Sequence, residues 1–205
     1  MTGFSVIPFL TPKETTMSLR TASLTTLATG AVLALSACAT GGPAMAPKMA
    51  TFSQDGLPAA VQVPAGHKVI METVGVGQIT YECRAKKDMA GQFEWVFVGP
   101  DAKLMDRMGK QVGKYYGPPA TWESMDGSKL TATQLAVAPA MAGSIPLQLV
   151  KANPAMGMGA MQGVSHIQRV ATKGGVAPAM ACDAATMGSK QIVNYQADYI
   201  FWRAV

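Results

Sequence analysis

The sequence predicts an all-β domain, a single β-sandwich or small barrel of about seven to nine strands with long loops and one disulfide. Three observations carry this. From Leu57 onward, short runs of β-branched and aromatic residues recur between Gly, Pro, Asp and Asn turn signals. Several of these runs alternate with period two, whereas helical spacing is hard to find. Of three cysteines, two are left to pair with each other once the first is assigned elsewhere.

The runs come in the following order. His67–Thr73 is the first. Gln78–Arg84 follows, with Ile79, Tyr81 and Cys83 on one face and Thr80, Glu82 and Arg84 on the other. The intervening "GVG" at Gly75 has two of the three glycines of a dinucleotide-binding loop, but Thr80 stands where the third is needed and no helix follows. It reads as a β-turn. Gln92–Val98 places Phe93, Trp95 and Phe97 on one face, and "AKKDMAG" before it makes a hairpin loop. "TWES", "MDGS" and "KLTATQLAV" read as strand, turn and strand, because Asp-Gly favours hairpins. Ile145–Ala152 and Val164–Thr172 are further strands. Gln191–Trp202 sets Val193, Tyr195, Ala197, Tyr199 and Phe201 against Asn194, Gln196 and Asp198.

The N-terminus points to export. Arg20 precedes an apolar run, Leu24 to Leu35, of signal-peptide length. It is shorter than the ~20 residues a membrane-spanning helix needs. Leu35-Ser36-Ala37-Cys38 resembles the lipobox of bacterial lipoproteins, in which the cysteine is acylated and becomes the first residue of the mature chain. The alternative is an ordinary signal peptide cut near Ala37 or Ala39. Lipid chains on Cys38 would hold the protein on a membrane, and Ala39 after it favours an outer-membrane lipoprotein of the cell envelope. The organisation expected is a signal region at 1–37 with translation starting at Met17, a lipidated Cys38 and flexible tether over 38–56, and the all-β domain over 57–205. The net charge of +5, without a long basic block, excludes nucleic acid as a partner. The membrane is the one partner the sequence indicates, and no cofactor is expected.

Export places Cys83 and Cys182 in an oxidising compartment, where they pair across a loop of about 100 residues. The rival is a zinc site. His67 and His166 each stand sixteen residues before one of these cysteines. The close ligand spacing usual for zinc is absent, however.

A set of motifs then resembles a family of exported bacterial and fungal proteins known as domain of unknown function 3455. They are "QITYEC", the "PDAKLMD" turn, "GKQVGKYYGP", "GPPATWESMDGS", "HIQRVATKGGVAPAMAC" and "YQADYIFW", spread over Leu57 to Val205. Two departures stand out. Pro119 and Ala120 lengthen the join before "TWE", and "IPLQLVKA" lacks a Trp after its Pro. The resemblance implies export and an all-β domain with two cysteines. It implies no activity and no catalytic residues.

Three sites remain to be weighed. Glu123 and Asp126 beside Trp122 are the catalytic candidates, a carboxyl pair of the kind that hydrolyses glycosides. The bland reading is a turn Asp and a surface Glu. Met156, Met158 and Met161 offer thioethers that suit Cu(I), or simply fill gaps. Tyr115, Tyr116 and Trp122, in the Pro/Gly-rich "YYGPPATW", are ligand-binding candidates if exposed and core residues if not. There is no G-x-S-x-G elbow, and only two histidines could act as bases. The reading favours a non-enzymatic binding or structural module of the envelope over a hydrolase or a copper-binding protein.

Overall fold

A computed structural model describes residues 52–205. Cys38, Ala39, the signal region and most of the expected tether lie outside the described residues. Eight strands follow one another: β1 (His67–Ala85), β2 (Phe93–Met105), β3 (Gln111–Tyr116), β4 (Thr121–Ser124), β5 (Lys129–Ala138), β6 (Leu147–Ala152), β7 (His166–Gly174) and β8 (Lys190–Ala204). Each pairs antiparallel with the next, and β8 returns to β1, closing the barrel. An even number of strands lets an up-and-down antiparallel sheet close in this way.

Two expectations are corrected here. The "GVG" segment is the middle of a continuous 19-residue β1 and not a turn. Its glycines answer to distant neighbours. A Cβ on Gly75 would strike the Tyr199 ring, and one on Gly77 would strike the Asp101 carbonyl and Ala102 on β2. Likewise "PDAKLMD" is mostly strand, since β2 runs on through Pro100 to Met105. The turn lies beyond it, where Asp106 Oδ1 accepts from the amides of Met108 and Lys110, both at 2.9 Å.

The barrel is filled. Ile79, Tyr81, Leu104, Tyr115, Trp122, Leu130, Ile167, Tyr195, Tyr199 and Phe201 form the interior cluster. The period-two alternation of β8 is what sends Tyr195, Ala197, Tyr199 and Phe201 inward. Each large apolar side chain contributes about 1.5–3 kcal/mol by leaving water.

A second apolar cluster lies outside the ring. Val61 and Val63, around the short 3-10 turn Ala59–Val61, cover Leu149, Val170, Ile200 and Trp202 on the outer face. Phe52 meets Trp202 edge-on at 6.3 Å. Gln54 grips the strap from both sides, donating to Val63 O at 2.9 Å and accepting from Val63 N at 2.8 Å. Among the described residues, contacts with the barrel are already present at Phe52, within the segment expected to act as tether.

Cys83 and Cys182 form the disulfide, with Cα atoms 5.5 Å apart and a sequence separation of 99 residues. It fastens the long β7–β8 loop to β1. The Trp95 indole fixes the same loop by donating to Met180 O at 2.9 Å.

Candidate functional site

The structure divides the aromatic candidates. Tyr115 and Trp122 face the barrel interior, stacked at 4.6 Å between centroids and packed on Tyr199. They are 6% and 2% exposed, so neither offers a ligand surface. The segment expected to be an aromatic loop is two strands, β3 and β4, joined by Gly117–Ala120. Alternation along β3 sends Tyr115 inward and Tyr116 outward. Tyr116 donates its hydroxyl proton to Glu123 Oε2 at 2.7 Å.

The two carboxylates have separate structural tasks. Glu123 is held by Tyr116 and by Lys114 Nζ at 3.2 Å. Asp126 sits in the β4–β5 turn and accepts from Ser128 N at 2.9 Å, Ser128 Oγ at 2.6 Å and Ala160 N at 2.8 Å. The Tyr116 hydrogen bond, with help from Lys114, lowers the pKa of Glu123. The Ser128 hydroxyl and the Ala160 and Ser128 amides hold Asp126 down at about 2. A glycosidase acid needs the opposite, a raised pKa that keeps its proton at working pH. Neither group is poised to donate one.

The methionines do not converge either. Met161 is 1% exposed and belongs to the interior cluster, whereas Met158 is 84% exposed. Met156 exchanges backbone hydrogen bonds with Lys129. The four-ligand zinc site is excluded because both cysteine sulfurs are consumed by the disulfide. Among the described residues, no group of three or more His, Cys, Asp or Glu side chains is placed to hold a metal. The two histidines do meet, with ring centres 4.8 Å apart and planes at 87°. Partial burial lowers the pKa of His166, helped by His67 and Lys151.

A concave site lies elsewhere, on the outer face where β2, β1, β8 and β7 run side by side. The groove has a volume of about 710 Å³, within the usual range for a small-ligand site. Register builds it. Lys103 pairs with Val76, Val76 with Gln196 and Gln196 with Lys173, giving one row across four strands. Asp101, Gln78 and Asn194 form the next row. The Gln78 amide donates to Asn194 Oδ1 at 3.4 Å. The groove thus carries three side-chain amides, one carboxylate and an ammonium at each end of one row.

One irregularity puts Lys173 there. The β7–β8 register shifts between Val170 and Lys173, and Ala171 within it has φ 48°. A positive φ is uncommon for a residue with a Cβ. Without the bulge, Lys173 would pair with Tyr195 and share its interior face. The extra residue turns the lysine outward. The sequence showed the polar face of β8 as an alternation. It did not show that β1, β2 and β7 bring matching polar positions beside it.

No curated protein and no solved structure matches the chain. A family model described as protein of unknown function (DUF3455) matches residues 64–203, from just before β1 to the end of β8. That span takes in all eight strands, the disulfide and the whole groove, and the chain accordingly belongs to the DUF3455 family of proteins of unknown function.

Proposed function

We propose that this is a lipid-anchored envelope protein, held through Cys38, whose barrel is a non-enzymatic binding module for a small polar anion. The observation that supports it best is the row Lys103–Val76–Gln196–Lys173. It places two ammonium groups at either end of an amide-lined groove, about 14 Å apart at the backbone by the spacing of neighbouring strands. Oriented amides can donate to or accept from a polar ligand, and the flanking lysines favour negative charge over neutral compounds. The filled interior leaves the outer face as the place for recognition. The committed state of Glu123 and Asp126 argues against hydrolysis at that pair.

Two measurements test the two halves. Titration with citrate, inorganic phosphate and neutral trehalose, followed by NMR of the side-chain amides of Gln78, Asn194 and Gln196, tests the groove. Shifts with the anions that disappear in Lys103→Glu/Lys173→Glu are expected. No shift, or equal shifts with trehalose, overturns the anion reading. Labelling cells with a palmitate analogue tests the anchor: label on the wild type and none on Cys38→Ser is expected, and label retained on Cys38→Ser refutes lipidation there.

A further inference from the structure

We propose that His67 and His166 form a two-imidazole site for a divalent transition ion of the copper, nickel and zinc group, on the outer face at the end of the barrel where β1 and β7 begin. The two residues come from opposite flanks of β8, where His67 pairs with Ala204 and His166 with Trp202. This site lies apart from the groove and does not depend on it.

Hydrogen bonding selects the tautomer of His67 and accommodates the same one in His166. His67 Nδ1 lies 3.0 Å from Pro64 O and 3.3 Å from Ala65 O. A carbonyl can only accept, so Nδ1 carries the proton. His166 Nδ1 lies 3.2 Å from Ser165 Oγ. That hydroxyl also lies 3.1 Å from Trp202 O; with its proton directed at that carbonyl it accepts from the ring, and Nδ1 is then the protonated nitrogen. With the proton on Nδ1, each ring presents Nε2 as a bare lone pair, and neither Nε2 has a hydrogen-bond partner among the described residues.

This is how proteins prepare metal-binding histidines, with the distal ring N–H tied to a carbonyl or other acceptor. The spacing agrees. Two imidazoles sharing an ion at the usual ~2 Å nitrogen distance have centres about 4.5–5 Å apart, and these lie 4.8 Å apart. Imidazole nitrogen suits copper, nickel and zinc, and Cu(II) ranks first among divalent ions at such ligands. The remaining positions would be taken by water. Lys151, opposite His166 across the β6–β7 ladder, opposes the ion with its own charge, which makes it a useful probe.

The test is titration of the metal-free full chain with Cu(II) at neutral pH, in a Cys38→Ser background so that this thiol does not compete. Binding is read by calorimetry and by electron paramagnetic resonance. One ion per chain with splitting from two nitrogens is expected. His67→Gln and His166→Gln should each weaken binding tenfold or more, and the double variant should lose the signal. Ser165→Ala, which frees the His166 ring, should weaken it less, and Lys151→Ala should tighten it. Thermal unfolding of each variant reports whether it is folded, and the Lys151→Ala gain cannot come from misfolding. A double variant that binds Cu(II) as the wild type does, or a wild type that shows no two-nitrogen signal, overturns the proposal.

Discussion

Trp202 on β8 and Gln168 on β7 are locked together outside the barrel, the indole donating to Gln168 Oε1 at 2.9 Å. The Gln168 amide donates in turn to Val61 O at 2.7 Å and to Gln54 Oε1 at 3.0 Å. Gln168 is fully buried, so one side chain ties the strap to two strands. Gln168→Leu would leave the buried indole N–H and the Val61 carbonyl without partners. A loss of about 2–4 kcal/mol in urea unfolding is expected. Limited proteolysis should cut earlier around residues 54–63.

The disulfide closes a covalent loop between residues 99 apart in sequence. Chain entropy sets its contribution at ~4.7 kcal/mol, and measured bridges commonly deliver 2–4. Urea unfolding with and without a reductant should differ by that smaller amount. Thiol titration of the denatured, unreduced protein should find neither Cys83 nor Cys182 free. With the bridge reduced, protease cleavage should concentrate in the loop before β8, which then keeps the Trp95 and Tyr81 anchors, the Asp183–Thr186 turn and a few backbone bonds.

Asp126 makes stability depend on acid. Its carboxyl sits at about 2 when folded, against an ordinary 3.8. A depressed carboxylate contributes stability that is complete above its unfolded pKa and disappears as pH falls through its folded pKa. The midpoint of thermal unfolding should therefore fall between about pH 4 and pH 2. Asp126→Asn should flatten that part of the profile. Glu123, also lowered, acts in the same direction.

The two strand glycines should differ in their response to alanine. At Gly77 the new Cβ meets the Asp101 carbonyl and the Ala102 backbone, which cannot move without breaking the β1–β2 ladder. At Gly75 it meets the Tyr199 ring, which can shift within the core. Gly77→Ala should cost about 3 kcal/mol or more and Gly75→Ala about 1–3 kcal/mol, as differential scanning calorimetry can measure.

Thr172 offers a gain. Its hydroxyl is buried without a hydrogen-bond partner among the described residues. Thr172→Val keeps the shape and β-branching while removing the orphaned group, so stabilisation of about 1 kcal/mol is expected in the same assay.

Where one face of a strand is buried and the other wet, the sequence was readable. β8 and the second half of β1 declare themselves by alternation, and the expectation of an oxidising compartment is enough to pair Cys83 with Cys182, the bridge the structure contains. The misses have a common physical origin. Gly75 and Gly77 look like turn residues because their reason is the Tyr199 ring and the β2 backbone, far away in sequence. Tyr115 and Tyr116 look like a loop pair because Gly and Pro follow, although they are the last two residues of a strand and face opposite sides of it. The groove depends on register across four strands and on a bulge at Ala171, neither of which is written locally. The histidines meet only because β7, β8 and β1 are neighbours in a closed ring.

That ring closes between the first strand and the last. β1 finds its second partner only in residues 190–204, seven strands later. Until residues 190–204 are in place, the seven preceding strands lack the piece that seals them. Pairings of such wide sequence separation form slowly, because the loop must be brought together before any contact offsets the lost entropy. The barrel cannot close before its last strand is in place.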